Sequence, residues 1–134
     1  MLEHIVNYLK LQKYLLNCFR EKFGELTENS IFFEIERHGD VFCESNFWNY
    51  SIHGSGVLFE NEAGVIVDVH NSLSDPNLLD AHRLASYLES ISENPDTFID
   101  EHSLVLILNQ LVAEGALDKI QGRANEFYLT SPIG

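Results

Sequence analysis

Positive charge is scarce in this sequence. The 134 residues contain 8 Lys and Arg against 21 Asp and Glu, which gives a net charge of −13. After Arg37 the only basic side chains are Arg83, Lys119 and Arg123. A field of this sign repels nucleic acid and anionic membranes and attracts basic partners. We therefore expect no nucleic-acid partner, and either a cationic protein partner or an acidity that serves solubility alone.

Long apolar runs are also missing. No run approaches the roughly 20 residues that a membrane helix needs, and charges interrupt the N-terminal segment, unlike the apolar core of a signal peptide. The two cysteines, Cys18 and Cys43, lack metal-type spacing. We expect no membrane association, a cytoplasmic location with reduced, packed thiols, no cofactor, and one domain over residues 1–134.

The N-terminal segment predicts a long helix over residues 2–23, ended by Gly24. One apolar stripe recurs at helical spacing and would face the core. A second, narrower stripe of Leu11, Tyr14 and Cys18 lies away from it. That stripe is either a wider core face or the contact of a homodimer.

Strands are predicted in a run after this helix. In residues 30–37 apolar and polar side chains alternate as in a strand, residues 38–40 suggest a turn, and residues 41–44 suggest the returning strand. Residues 48–53 predict a further strand, one face of which is more exposed to solvent. A helix is predicted from Ser74-Asp75-Pro76 to about Ile91, and another from near Asp96–Asp100 to Gly115, followed by a small hairpin or final strand up to Thr130. The order predicts an α+β fold: an antiparallel sheet of about five strands with an N-terminal helix and two C-terminal helices packed on it.

The most informative segment of the chain is Trp48 to Asn71, WNYSIHGSGVLFENEAGVIVDVHN. Strand-forming residues, glycines and polar residues occur there together in an order that predicts a defined structure. With Glu62-Ala63-Gly64 as a three-residue loop, Gly64 supplies the left-handed residue and Asn61 pairs with Val65. This register predicts one apolar face and one mixed face, because side chains alternate along strands. The apolar face comprises Val57, Phe59, Val65, Val67 and Val69, and the mixed face comprises Leu58, Glu60, Ile66, Asp68 and His70.

Three polar residues of this segment are candidates for chemistry. Asp68 and His70 point the same way on one strand, and His53 could approach them around the glycine corner. Two histidines and a carboxylate would suit a non-haem iron or zinc site. The structural alternative is that His53 binds a backbone carbonyl and Asp68 caps a turn or pairs with a histidine. We favour the structural alternative and expect no catalytic residue.

Other motifs favour structural roles. Gly54-Ser55-Gly56 lacks the Lys-Ser/Thr of a phosphate loop and predicts a bulge or a sharp bend. Phe47, Trp48 and Tyr50 would form core packing, or else line a pocket or an interface. The final third, LILNQLVAEGALDKIQGRANEFYL, looks like the helix and wing of a winged-helix domain. Its few cations oppose DNA binding, so we take this as a shared packing pattern.

A further resemblance rests on three motifs. They are the His53-Gly54-x-Gly56 corner, the following V-L-F-E…G-V-I-V-D-V hairpin, and the closing L-x-x-L-x-x-x-G-x-L…F-Y-L segment. Together they resemble an uncharacterised bacterial family whose small acidic members look like immunity proteins of contact-dependent growth inhibition and related polymorphic toxin systems. The resemblance implies a cognate toxin as the partner and no active site to carry over.

The resemblance and the charge predict the same mechanism. Many secreted antibacterial toxins are basic nucleases, and an acidic protein can steer fast association and occlude a cationic active site. We expect a monomer that binds one toxin, with candidate contacts at Glu34, Glu36, Glu60, Glu62 and Asp68. The competing classes are a small metal enzyme using His53, Asp68 and His70, and a dimeric interaction protein using Leu11, Tyr14 and Cys18.

Overall fold

Three helices and two antiparallel sheets make up the described part of the chain. The structure is a computed structural model and describes residues 2–24, 36–53, 56–70, 77–92 and 99–130, with only the backbone of His70. None of its helices is long and apolar enough to cross a membrane. In chain order the elements are α1 (Leu2–Phe23), β1 (His38–Cys43), β2 (Asn46–His53), β3 (Gly56–Asn61), β4 (Ile66–His70), β5 (Leu78–Asp80), α2 (Ala81–Ile91), α3 (Glu101–Ala113), β6 (Leu117–Lys119) and β7 (Glu126–Leu129).

The α+β class, the N-terminal helix and the two later helices are confirmed, but the single sheet of about five strands is wrong. The strands form a four-stranded sheet, ordered β1-β2-β3-β4, and a separate three-stranded sheet, ordered β5-β7-β6. The last strand, β7, pairs with β5 on one side and with β6 on the other instead of extending the first sheet: Leu79 and Lys119 both lie opposite Phe127. β5 was missed because its three residues fall within a segment that favours a helix.

The helix α1 packs on one face of the four-stranded sheet, which we call the inner face. Phe19 makes edge-on ring contacts with Tyr50 and Phe59, with centroids 5.1 and 5.9 Å away. At the other end of α1, Tyr8 contacts the ring of Tyr87 in α2 at 5.1 Å. All these rings are buried. Burial of large apolar side chains between helix and sheet is the main favourable term for this packing.

The register predicted for the β3–β4 hairpin is confirmed. Val57 pairs with Val69 and Phe59 with Val67, and the amide of Asn61 donates to the carbonyl of Val65. Gly64 closes the loop at φ +83°, a conformation that glycine adopts at little cost. The four paired side chains are fully buried on the inner face, and Val65 is half-buried.

The first hairpin turns later than the sequence predicts. His38–Cys43 is one continuous strand, and the turn is Glu44-Ser45. Gly39 is needed for close approach, not for a turn, because a Cβ there would lie 2.7 Å from the hydroxyl of Tyr50. Residues 30–35 of the predicted first strand lie outside the described residues. Arg37 continues the β1–β2 ladder, since its carbonyl accepts from the amide of Ile52.

Aspartates begin both later helices. Asp80 caps α2 by accepting from the amides of His82 and Arg83, so this helix starts at Ala81 and not near Ser74, which lies outside the described residues. Asp100 caps α3 through the amide of Ser103, within the predicted range. Hydrogen bonds from Ser103 hold the pKa of the Asp100 carboxyl below its usual range, because they favour the charged form.

The second sheet joins the same hydrophobic core as the first. Leu79, Leu117 and Phe127 belong to one cluster with the buried residues of α1 and the four-stranded sheet. Within the core, the buried side chain of Gln12 in α1 donates to the carbonyl of Leu78. The segment after α3 forms the small hairpin β6–β7, one of the two alternatives predicted there.

Phenylalanines in the same sheet provide a direct test of the assigned faces. Phe59 is fully buried, whereas Phe47 is 63% exposed. Phe59→Ala should lower the free energy of unfolding by about 3–5 kcal/mol through lost burial and a residual cavity. Phe47→Ala should change it by less than about 0.5 kcal/mol. Urea denaturation followed by circular dichroism measures both values, and similar losses would contradict the assignment.

The position of Gly39 predicts an intolerance to any side chain there. Gly39→Ala should destabilise the fold by about 1–3 kcal/mol, the usual cost of overpacking, because the new methyl group meets the ring of Tyr50. Gly122→Ala is a useful comparison, since a Cβ there meets no atom within 4 Å and its strain comes only from φ +79°. Thermal unfolding compares them, and a Gly39→Ala variant as stable as wild type would contradict the close approach.

Candidate functional site

The sheet face opposite α1, which we call the outer face, carries the side chains that alternate with the core. It includes the exposed residues Phe42, Phe47, Asn49 and Glu60, with Leu58, Ile66 and Asp68 at intermediate exposure. Between His38 and His70 the sequence contains five acidic residues and no Lys or Arg. The charged residues of the four strands and their turns, histidines aside, are therefore all acidic, and the cations near them come from outside these strands: Arg37 before β1, Lys22 of α1 at the carbonyl of Asp40, and Arg83 of α2 at Asp68.

Asp68 and His53 come together on the outer face, as the sequence suggested. His53 Nε2 lies 3.4 Å from Asp68 Oδ1, with 45% of the histidine side chain and 12% of the aspartate side chain exposed. Arg83 of α2 reaches the other oxygen, with Nη1 3.3 Å from Asp68 Oδ2. Sequence reasoning missed Arg83, because nothing in the spacing places α2 against β4.

Gly56 makes room for this contact. The register pairs it with His53 of β2 on one side and with the backbone of His70 of β4 on the other. Because residue 56 has no side chain, the histidine ring can lean across β3 towards Asp68, which lies two residue pairs further along β4. Gly54 and Ser55 of the same corner lie outside the described residues.

The cluster is held tightly but is incompletely hydrogen-bonded. Asp68 Oδ1 and Arg83 Nε are buried and have no hydrogen-bond partner among the described residues. On the other side of the strand, the backbone carbonyl of Asp68 accepts from the hydroxyl of Tyr8. Burial, and then the charge of Asp68, raise the pKa of Tyr8 above its usual range. Asp68 thus joins α1, α2 and the sheet.

The described side chains provide no third ligand for a metal ion beside His53 and Asp68. No group of three or more His, Cys, Asp or Glu there is arranged to hold a metal, and the side chain of His70 lies outside them. Arg83 already neutralises Asp68 at 3.3 Å, and a cation there opposes a metal ion on electrostatic grounds. The geometry matches the structural alternative, in which Asp68 pairs with a histidine.

A cleft of about 590 Å³ lies beside the start of α3. Asp100, Glu101, His102, Val105 and Asn125 line it. Its central carboxylate is already engaged: Glu101 Oε2 lies 3.1 Å from His82 Nδ1, and Glu101 Oε1 accepts from the side-chain amide of Asn125. These contacts join α2 and the β6–β7 turn to α3. The polar side chains of the cleft therefore have a structural role.

The two cysteines meet as packed thiols. Both are free, and Cys43 is buried. Burial, and then a hydrogen bond with the Cys18 thiol, raise the pKa of Cys43 to about 12. A thiol with that pKa is protonated at neutral pH and is a poor nucleophile. The thiol contact also joins α1 to β1.

The predicted acidic contacts separate into two groups. Glu36, Glu60 and Glu62 are exposed, whereas Asp68 is largely enclosed by Arg83 and His53. Glu34 lies outside the described residues. Asp40 and Glu44 are additional exposed acids of the same sheet, which the sequence reasoning did not select. Asp68 therefore stabilises the sheet, and the exposed acids are the ones accessible to a partner.

The end of the β1–β2 hairpin carries the largest apolar surface of this sheet. We call residues 42–47 the hairpin tip. Phe42 and Phe47 are a cross-strand pair, their rings 5.0 Å apart and 60% and 63% exposed. Glu44 and Ser45 between them have φ 51° and 64°. Such values cost of order 1 kcal/mol per non-glycine residue and recur at functional sites.

The aromatic triplet is divided between the two faces. Trp48 and Tyr50 are buried in the core, with 2% and 1% exposure, whereas Phe47 points outwards. Phe42 was not singled out, because its exposure depends on where the turn falls. A two-residue turn predicted at Glu44-Ser45 would have paired Phe42 with Phe47, but neither residue is a glycine or asparagine that marks such turns.

The second stripe of α1 is not a continuous exposed surface. Leu11 and Cys18 are half-buried and pack against the core, and Tyr14 is 41% exposed. The stripe therefore matches the wider core face better than the contact of a homodimer. A single exposed tyrosine provides little apolar area for a dimer.

The comparisons with known proteins identify a family. The chain belongs to the family described as a domain of unknown function, DUF6896, whose model matches residues 1–130. Neither the curated proteins nor the solved structures contain a significant match.

The ion pair of Asp68 with Arg83 predicts a measurable coupling. Arg83→Met should lower the free energy of unfolding by about 2–4 kcal/mol, because it leaves a buried carboxylate without its cation. Adding Asp68→Asn should restore part of that loss. Lys119→Met, which changes an exposed residue, should have an effect below about 0.5 kcal/mol. Urea denaturation of wild type, Asp68→Asn, Arg83→Met and the double variant gives the coupling energy, and additive losses would contradict it.

Proposed function

We propose that this protein binds and neutralises a cationic protein through the outer face of its four-stranded sheet, as an immunity protein does with its cognate toxin. The observation that carries the proposal is the charge of this sheet: from His38 to His70 there are five acids and no Lys or Arg. Four of those acids, Asp40, Glu44, Glu60 and Glu62, are exposed. The protein acts by occlusion and not by catalysis.

Charge complementarity suits this role. A protein face of one sign attracts a partner of the opposite sign and raises the rate of productive encounter. The same charge repels nucleic acid, so the protein itself does not bind the DNA or RNA that a nuclease toxin would cleave. A basic nuclease must display Lys and Arg around its own substrate site, and those cations are what the acidic face would cover. The proposed site of action is the cytoplasm.

The cluster of His53, Asp68 and Arg83 supports the same proposal by its position. It lies on the outer face and fixes β4 against α2, which keeps the acidic surface in one shape before a partner arrives. A preorganised surface loses less conformational entropy on binding than a flexible one. The ion pairs therefore serve the rigidity of the face.

The test is binding to, and protection from, a defined toxin. If the gene lies beside one for a secreted protein with a variable toxic end, that end is expressed as the probe. The protein should bind it one to one, measured by titration calorimetry, and should restore growth of a bacterial host that expresses it. Absence of both binding and protection would contradict the proposal.

Charge variants test where the toxin binds. The triple variant Asp40→Asn, Glu60→Gln, Glu62→Gln should lower the association rate by about tenfold at low salt, because steering depends on the summed field. The matched control Glu89→Gln, Glu114→Gln, Asp118→Asn removes the same charge from α2, the end of α3 and β6. It should have an effect within about twofold. The difference should disappear at about 1 M salt, where screening is strong, and equal effects would contradict this location.

A further inference from the structure

The hairpin tip presents its two phenylalanines as one surface. Phe47, Phe42 and Leu106 are the most exposed large apolar side chains in the described part of the chain, at 63%, 60% and 60%. The two phenylalanines are adjacent and their rings are tilted by 60° with centroids 5.0 Å apart. Leu106 is isolated on α3. Aromatic side chains, phenylalanine included, are enriched in protein–protein interfaces relative to the rest of the surface.

Three contacts fix the tip in one conformation. The indole of Trp48, itself buried, donates to the carbonyl of Cys43 at 3.2 Å. The side-chain amide of Asn46 donates to the carbonyl of Glu44 at 3.0 Å. The edge contact between the phenylalanine rings adds a third restraint. These contacts hold Glu44 and Ser45 at positive φ, so the aromatic pair is already ordered before binding.

The charges around the tip indicate what occupies it. Asp40 precedes Phe42 on the same face of β1, and Glu44 lies in the turn. Lys22 of α1 is also beside Asp40, where its Nζ donates to the backbone carbonyl at 2.6 Å. Across the face, Glu60 lies opposite Asn49. A second copy of this chain would bring another acidic sheet against these carboxylates, which is unfavourable. A partner with an apolar socket bordered by Lys or Arg would satisfy both the rings and the acids.

We propose that the hairpin tip is the anchor of the interface, with Phe42 and Phe47 inserted into an apolar socket of the partner and Asp40 and Glu44 paired with cations at the rim of that socket. This inference rests on the proposed function, because it takes the same cationic protein as the occupant. It assigns most of the affinity of the complex to the side chains of Phe42 and Phe47. The acids of the outer face, in contrast, set the rate of association.

The anchor is tested with Phe42→Ala and Phe47→Ala, singly and together, and with Leu106→Ala as a control of equal exposure. Each should fold as wild type, checked by circular dichroism. Against the toxin domain encoded beside the gene, each single variant should raise Kd at least about 30-fold, the size of a hot-spot effect. The increase should appear in the dissociation rate, since steering charges are intact. Leu106→Ala should stay within about twofold.

A second probe does not depend on the toxin. A displayed library of peptides rich in Lys, Arg and apolar residues is selected on the wild-type protein, with the double variant as the counter-target. Enriched peptides should combine a large apolar residue with neighbouring cations, and should lose binding to the double variant and not to Leu106→Ala. Failure to enrich any such peptide would overturn the anchor.

The possible results separate the two proposals. Toxin binding that is unchanged in the phenylalanine variants overturns the anchor and leaves the proposed function standing. If wild type does not bind the toxin but does bind selected peptides that require Phe42 and Phe47, the toxin is not the partner and the anchor is supported. Self-association of the wild type that the double variant abolishes, measured by sedimentation, overturns the cationic partner in favour of a second copy.

Discussion

The register of the β3–β4 hairpin determines which side chains of this molecule are buried. Pairing Phe59 with Val67 and Val57 with Val69 places all four on the inner face, where none is exposed. Full burial of such side chains contributes about 1.5–3 kcal/mol each. A slip of one residue would turn one strand over relative to the other, and would put either Leu58 and Glu60 of β3 or Asp68 of β4 under α1. A carboxylate would then be buried without a partner, which is far more costly than the loss of packing alone.

The same alternation produces the acidic face. Because the valines and Phe59 must point inwards, Glu60 and Asp68 must point outwards, and the two acids then differ in their surroundings. Asp68 lies near α2 and is enclosed by Arg83 and His53. Glu60 lies further along β3 and is exposed. One acid therefore stabilises the structure, while the other remains available for recognition.

The molecule combines a rigid scaffold with a small, fixed protrusion. Phe19 and Tyr8 join α1 to the sheet and to α2, and the thiols of Cys18 and Cys43 join α1 to β1 next to the tip. The tip therefore extends from a well-anchored strand pair. Exposed aromatic rings on a flexible loop would pack against their own chain, but here the sheet prevents this. In the proposed complex, the acidic face and the aromatic tip are complementary parts of the binding surface.

The sequence by itself determined the α+β class, the long first helix and the β3–β4 register, because each depends on local periodicity and on Gly64 in its loop. It also indicated that His53 could approach Asp68. Only the tertiary structure decided the rest. Gly39 signals a turn locally, yet the ring of Tyr50 requires it in a strand. Leu78 and Leu79 lie in a segment that favours a helix, yet pairing with β7 makes them a strand. Arg83 reaches Asp68 and Phe42 meets Phe47 through contacts between separate elements, which no spacing along the chain encodes.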